Sequence, residues 1–401
     1  MKIGFFTDRF YPQVDGVAVS VDIFAKELIK LGHEVVIFCP QSAGPKRQDP
    51  SYVVRFRSIP SFWYEGHRDT MPFNNSNIEL VKSYDFDVIH IHTPAQIGLL
   101  GIRVAKEDDI PLVITHHTDI DQYTRVYKKV MLGVLVAILL APALIKETGH
   151  YKEILPNLKP RKSIKKWNRK LIIESVGLLY KNCDRVIVPS QKMKLSLKEY
   201  GYNRPVEIIP TGIDLEEARL GSSIDARKKF AIPKDSPLLL SVGRLGKEKN
   251  IQLILKSMPK ILADSPQTKL LIVGDGPYAE DLKQLAGRLG INQSVVFAGM
   301  QNRATTFACF SAADVFCFAS VTDTQGLVLN EAGIKSKPTV YIDEGISPVA
   351  VDGVSALKAK NTVASFAKAC LKLIKHPDLA KKYGKKANQL THTIRSEEHN
   401  V

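Results

Sequence analysis

Cysteine is sparse: Cys39, Cys183, Cys309, Cys317 and Cys370 stand singly, with no CxxC and no Cys/His spacing suited to zinc. That excludes a disulfide scaffold and a zinc module, and the thiols read as reduced and mostly buried in a cytoplasmic protein. Crossing a bilayer takes about 20 apolar residues. The uncharged run VMLGVLVAILLAPALI (130–145) stops short of that and carries Pro142, which argues against a transmembrane helix. The start, MKIGFFTDRFYP, lacks the apolar core and small-residue cleavage site of a signal peptide and reads as a buried first strand. No Walker loop, GxGxxG or low-complexity tract occurs, so no phosphate site can be recognised from a motif of that kind.

What is present is a chain of 401 residues, too long for one ordinary core and suited to two domains. The net charge of +15 and a pI near 9.4 imply an anionic partner, with nucleic acid, acidic lipid and nucleotide phosphate as candidates.

Short β-rich runs alternate with amphipathic helical stretches. The first series reads KIGFFT (2–7), EVVIFC (34–39), DVIHIH (87–92), PLVITH (111–116), RVIVP (185–189) and VEIIP (206–210). Helices fall between, such as VSVDIFAKELIKLG (19–32), whose apolar positions recur at i, i+3, i+4 and i+7. After TGIDLEEAR (211–219) comes a second series: PLLLSVG (237–243), KLLIVG (269–274), SVVFAG (294–299), VFCFAS (315–320) and PTVYID (338–343). Each series is the pattern of a parallel sheet covered by helices. The expected fold is α/β, with Rossmann-like domains at 1–212 and 213–380 facing across a cleft. A tail at 381–401 is expected to pack back on the first domain.

Such sheets bind ligands beyond the carboxyl ends of their strands. The glycine-bearing loops YPQVDGV (11–17), SVGRLGKEKN (241–250), GDGP (274–277) and TDTQG (322–326) stand at those places. Arg244 and Lys249 beside a helix start suit phosphate oxygens, although the loop by itself reads more simply as a solvated basic turn. In TDTQGLVLNEA, Asp323 precedes Glu331 by eight positions. Asp323 is placed either to cap the helix or to touch a sugar hydroxyl, and Glu331 to accept from a ribose. Each acid alone reads more simply as an ordinary helix residue.

Taken in order, YPQVDGV, DVIHIHTP (87–94), HT (117–118), DRVIVPS (184–190), IIPTGID (208–214), VGRLGKEKN, IVGDGP (272–277), VVFAG (295–299) and TQGLVLNEA (324–332) resemble the retaining glycosyltransferases of family four. That family has the GT-B fold, and the resemblance runs from residue 1 to about 355. It implies that Gly16 approaches the donor diphosphate, that Gly243 lines its loop, and that Arg244 and Lys249 neutralise the leaving phosphates. It implies further that Gln325, Gly326 and Leu327 offer amides to phosphate, Glu331 holds the ribose, Met300 meets the base, and His117 stands beside the donor sugar. The catalytic set so implied is His117, Asp323, Arg244 and Lys249, with no cofactor and no metal, since the cations replace magnesium. Two positions depart from the family: Asp323 stands where Glu is usual, and Lys337 in SKPTV where glycine is common.

His90, His92, His116, His117 and Asp119 read as structural or hydrogen-bonding groups rather than a metal cluster. From Lys146 to Lys181, ten cations face three acids, with Trp167 inside KSIKKWNRK. An apolar run followed by such a segment suits docking on acidic headgroups, and Lys165, Lys166, Trp167, Arg169 and Lys170 are the expected contacts within an insertion at about 126–181. Nucleic acid is disfavoured, because the charge lacks interleaved aromatics. The loop HHTDIDQYTRVY resembles that of bacterial diacylglycerol glucosyltransferases, with Tyr123 matching a tyrosine there. The expected activity is transfer of glucose from UDP-glucose to diacylglycerol, with retention, by a peripheral protein on the cytoplasmic membrane face. A mannosyl- or other hexosyltransferase acting on phosphatidylinositol or a polysaccharide intermediate, and a catalytically idle sugar-nucleotide binder, are the alternatives.

Overall fold

The computed structural model describes all residues except 14, 43–48, 63–67, 120–127, 148–163, 182, 214–217, 220 and 399–401. The chain divides into two compact units, Met1–Thr211 and Gly212–Val401.

The first unit is built on a seven-stranded sheet in the order β3-β2-β1-β6-β7-β8-β9. Its strands are β1 (Lys2–Phe6), β2 (Glu34–Pro40), β3 (Val53–Phe56), β6 (Val88–Ile91), β7 (Leu112–Thr115), β8 (Arg185–Val188) and β9 (Val206–Ile208), all paired in parallel. Strands β4 (Ser58–Pro60) and β5 (Arg68–Thr70) form a small antiparallel pair outside that sheet. A parallel sheet is covered on both faces, so its strands are apolar throughout, and alternate residues belong to opposite faces. Ile3, Phe5, Val35, Ile37 and Cys39 pack in one cluster, whereas Phe6, Val36 and Phe38 pack in another. In the second cluster Phe6 stacks on Phe38 at 4.8 Å between ring centroids, and Phe38 on Phe56 at 5.8 Å.

The second unit repeats the plan with six parallel strands in the order β12-β11-β10-β13-β14-β15. These are β10 (Leu238–Val242), β11 (Lys269–Val273), β12 (Val295–Gly299), β13 (Val315–Phe318), β14 (Thr339–Tyr341) and β15 (Ala356–Lys358). Leu239, Leu270, Ile272 and Cys317 serve one face; Leu238, Leu240, Leu271, Val273, Phe316 and Phe318 serve the other. In both sheets the order reverses beside the first strand, β1 or β10, and that is where a doubly wound fold leaves room for a ligand.

Residues 381–398 belong to one long helix, Pro377–Glu398, which packs within the second unit against the Leu327–Ile334 helix. Close approach depends on missing side chains. A Cβ on Gly333 would run into Thr391 Oγ1 of the long helix and lie 3.2 Å from the Ala387 carbonyl, and one on Gly384 would run into the Ser336 carbonyl. Asn388 Nδ2 donates to the Ile334 carbonyl at 2.8 Å, satisfying one of that helix's terminal acceptors.

The apolar run forms the Lys128–Leu144 helix with Pro142 inside it. Met131, Ala141 and Ile145 join the core, while Leu132, Leu139 and Leu140 are exposed. Among the described residues, no helix is long and apolar enough to cross a membrane.

Candidate active site

In the second unit the loops after β10, β11 and β12 are laced together by backbone bonds. Gly243 N–H donates to the Val273 carbonyl at 3.0 Å, Leu245 N–H to Asp275 at 2.9 Å, and Gly274 N–H to Gly299 at 2.9 Å. Gly243 and Gly274 have φ of +145° and +129°, and a Cβ on Gly274 would collide with the Gly243 carbonyl. Only glycine permits this packing. It brings SVGRLGKEKN, GDGP and the Gly299–Met300 turn to one edge.

Neither Arg244 nor Lys249 is bare. Arg244 Nη1 lies 3.5 Å from the carboxylate of Glu248, a buried acid, and Lys249 Nζ contacts Asp323 Oδ1 directly. Burial alone would push the Lys249 ammonium down, but the Asp323 carboxylate more than offsets it and holds the group above its usual range. The lysine therefore stays charged. The pair also joins the β10 loop to the β13 loop, helped by Ser320 Oγ donating to the Glu248 carbonyl at 3.3 Å.

Asp323 consequently does not cap the following helix. Gly326 is its N-cap, with φ +64° and ψ +56°, and as a glycine it offers no side chain to accept from the first turn. A helix opened in this way leaves its leading amides available to an anion. Gln325 is buried beside Gly326 and Leu327 at that terminus. One and a half turns on, Glu331 is buried and receives Arg303 Nη1 at 2.6 Å. Arg303 also lies over the Phe307 ring at 4.9 Å, so its plane is fixed from two sides. Met300 is largely exposed. Lys337 is half-buried and donates to the Ser311 carbonyl at 2.8 Å.

Arg303 and Glu248 were not among the residues singled out from sequence. Arg303 lies four positions beyond the end of β12, at the carboxyl edge where ligand-binding loops gather, and that placement was the available signal.

In the first unit Gly16 opens the Gly16–Lys30 helix. Its cap is Asp15, whose Oδ1 accepts from Val17 N–H at 2.9 Å and Ala18 N–H at 3.0 Å, while Oδ2 contacts Arg9. Asp8 does the same for the Gln96–Glu107 helix, accepting from Ile97 N–H at 2.9 Å. Burial raises the Asp8 carboxyl to about 6 in spite of those bonds.

His117 belongs to a cluster of buried imidazoles at the ends of β6 and β7. Its Nε2 lies 3.1 Å from His92 Nδ1, and the His92 ring is 4.1 Å from that of His90. His90 Nε2 lies 2.7 Å from Thr115 Oγ1, and His116 Nδ1 meets the Tyr180 hydroxyl. Burial lowers His90 and His117 to about 3 and His116 to about 4, so these rings are neutral at physiological pH. Tyr200 donates to Asp119 Oδ1 at 2.8 Å, anchoring the backbone just after the HHT triplet. Among the described residues no group of three or more His, Cys, Asp or Glu is placed to hold a metal ion.

Lys165, Lys166, Trp167, Arg169 and Lys170 all fall on the Ile164–Tyr180 helix. Arg169 reaches Glu199 at 3.0 Å and Lys170 reaches Glu174 at 3.7 Å, both at the surface. Tyr123 lies outside the described residues.

Two doubly wound units with glycine-laced phosphate-type loops define the GT-B class of glycosyltransferases, and the comparisons agree. Residues 14–217 match the model of Glycosyltransferase Family 4, and residues 222–390 that of Glycosyl transferases group 1. The chain belongs to glycosyltransferase family 4. The alpha-monoglucosyldiacylglycerol synthase of Streptococcus pneumoniae is 33% identical over 345 residues, covering 85% of this chain and 70% of that protein. The synthase of the same name from Acholeplasma laidlawii is 28% identical over 348 residues, covering 85% and 80%. Among solved structures, Anabaena Alr3699/HepE in complex with UDP and glucose superposes with a TM-score of 0.72 at 16% identity, covering 100% of this chain and 98% of that one. That likeness concerns the fold.

Proposed function

We propose that this glycosyltransferase is retaining and metal-independent, and that it moves glucose from UDP-glucose onto diacylglycerol at the cytoplasmic face of a membrane. The observation that carries the acceptor and sugar is the 33% identity to a monoglucosyldiacylglycerol synthase over most of the chain. The chemistry follows from the loops of the second unit. Cleaving the bond from the anomeric carbon to the diphosphate builds negative charge on the leaving oxygens and positive charge on the sugar. Arg244, Lys249 and the leading helix amides of Leu327 and Val328 answer the first, and a carboxylate answers the second. Because Lys249 is already paired with Asp323, it arrives charged and oriented, and the two neutralise one another until phosphate enters.

Glu331 takes the ribose in this reading, with Arg303 holding its carboxylate still. Gly16 and Gly243 are the positions where backbone meets the donor, Met300 contacts the base, and His117 the transferred sugar. The exposed leucines of the Lys128–Leu144 helix and the cations of the Ile164–Tyr180 helix rest on anionic headgroups.

The test is transfer from radiolabelled UDP-glucose to diacylglycerol in vesicles containing anionic lipid, with chelator present and the product anomer determined. An α-glucosyl lipid formed with chelator supports the reading; turnover only with another nucleotide sugar, or only with added metal, rejects it. Replacing Lys165, Lys166, Arg169 and Lys170 together by Gln is expected to lower vesicle binding and leave UDP binding unchanged.

A further inference from the structure

Within the imidazole cluster the hydrogen-bond arrangement decides which proton His117 carries. Two neutral rings sharing one bond, His92 Nδ1 to His117 Nε2 at 3.1 Å, have two consistent states. In the first, His92 donates from Nδ1, its own Nε2 is a bare lone pair, and His117 carries its proton on Nδ1. In the second, His117 donates from Nε2, and His92 then carries an N–H on its own Nε2.

The surroundings of His92 separate these states. Its Nε2 is sealed from solvent and, among the described residues, has no hydrogen-bond partner. The ring is 1% exposed and is held against Phe5, at 4.5 Å between centroids, and His90, at 4.1 Å. A buried N–H with no acceptor is rarer and costlier than an acceptor lone pair left empty. The second state therefore carries a penalty that the first avoids. His117, in contrast, keeps 9% of its surface open, and among the described residues its Nδ1 is not a sealed atom left without a partner.

We propose that His92 is a positioning residue that fixes the tautomer of His117, so that His117 presents an N–H donor from Nδ1 to an oxygen of the bound sugar. The inference rests on the reading of His117 as a sugar contact. A donor of this kind, neutral and locked by its neighbour, recognises a hydroxyl or other acceptor oxygen and repels a group that offers only a proton. Because burial keeps both rings neutral through the physiological range, the donor does not switch off with ordinary changes of pH.

The test is a long-range proton–nitrogen correlation spectrum of the full chain labelled with [15N]histidine, with His117 and His92 assigned through His117→Gln and His92→Asn. The expected wild-type spectrum shows protonated Nδ1 and bare Nε2 for both residues. In His92→Asp, whose carboxylate accepts but cannot donate, the proton of His117 is expected to move to Nε2 under mildly alkaline conditions, leaving Nδ1 bare. Turnover of UDP-glucose is expected to fall about tenfold, the worth of one neutral hydrogen bond, with KM for the donor less affected. His92→Asn, whose side-chain N–H₂ replaces the lost donor, is expected to restore both.

A wild-type His117 protonated on Nε2 overturns the proposal, and this needs no variant to fold. A His117 that keeps its proton on Nδ1 in His92→Asp overturns the role of His92. Absence of transfer from every nucleotide sugar, together with the expected tautomer, removes the proposed function and leaves the arrangement of the two rings standing.

Discussion

The Lys249–Asp323 contact allows a quantitative test of how the two loops are held together. The perturbation is the set Asp323→Asn, Lys249→Met and the double variant. At contact distance and an effective dielectric near 20, two unit charges attract by about 5 kcal/mol, before the cost of removing them from water. Breaking a fully buried pair by deleting one partner costs about 3–5 kcal/mol, because the other charge is stranded. Here the side chains keep 26% and 17% of their surface, so solvent recovers part of that cost. Each single variant is therefore expected to lose about 2–3 kcal/mol, while the double variant loses less than the sum, with a coupling of about 2 kcal/mol. Urea unfolding of the four proteins measures this, and UDP titration of the same set reads function. Asp323→Asn, by freeing the ammonium, is expected to hold UDP at least as tightly as the parent and to turn over more slowly; Lys249→Met is expected to weaken UDP. Additive stability losses would show that the contact is incidental. Weaker UDP binding in Asp323→Asn than in Lys249→Met would sink the view that the lysine serves the phosphates.

Two further outcomes are expected. Gly326→Ala forces an L residue into the left-handed region and sets a Cβ 2.8 Å from Leu329 Cδ1, so a loss of about 1–2 kcal/mol is predicted, with weakened UDP binding as the helix N-terminus shifts; unaltered unfolding and titration curves would refute it. The histidine cluster sets an acid limit. Burial depresses the folded-state values of His90, His92, His116 and His117, so below about pH 6.5 the unfolded chain binds more protons than the folded one. Stability is thus complete above that pH and falls below it, by up to about 1.4 kcal/mol per ring per pH unit, or about 5 kcal/mol at pH 5.5. Asp8, raised to about 6, acts in the opposite sense but is one group against four. Equal unfolding midpoints at about pH 7.5 and about pH 5.5 would refute this account.

Much of the scaffold was legible along the chain, because strands buried on both faces must be apolar from end to end. KIGFFT, EVVIFC, PLLLSVG and KLLIVG announce themselves in that way. Strand β3, Val53–Phe56, and β15, Ala356–Lys358, escaped notice: they stand at the sheet edges, are short, and carry Arg55 and Lys358. The glycine loops after the strands and the pair of acids eight residues apart were equally visible. What each acid does was not, since an N-cap and an ion-pair partner demand the same residue at the same spacing.

By itself, then, the order of residues determined two α/β units and where their loops would gather, because these follow from periodicity and from local backbone requirements; the family was legible only through the likeness of its loop motifs to known relatives. Tertiary structure alone decided the partners. Asp323 meets a lysine 74 positions earlier, Glu331 an arginine 28 earlier, and His117 a histidine 25 earlier. Which charge neutralises which, and which ring holds the proton, depends on the register of neighbouring strands and the burial they impose, quantities that exist only once the sheets have formed.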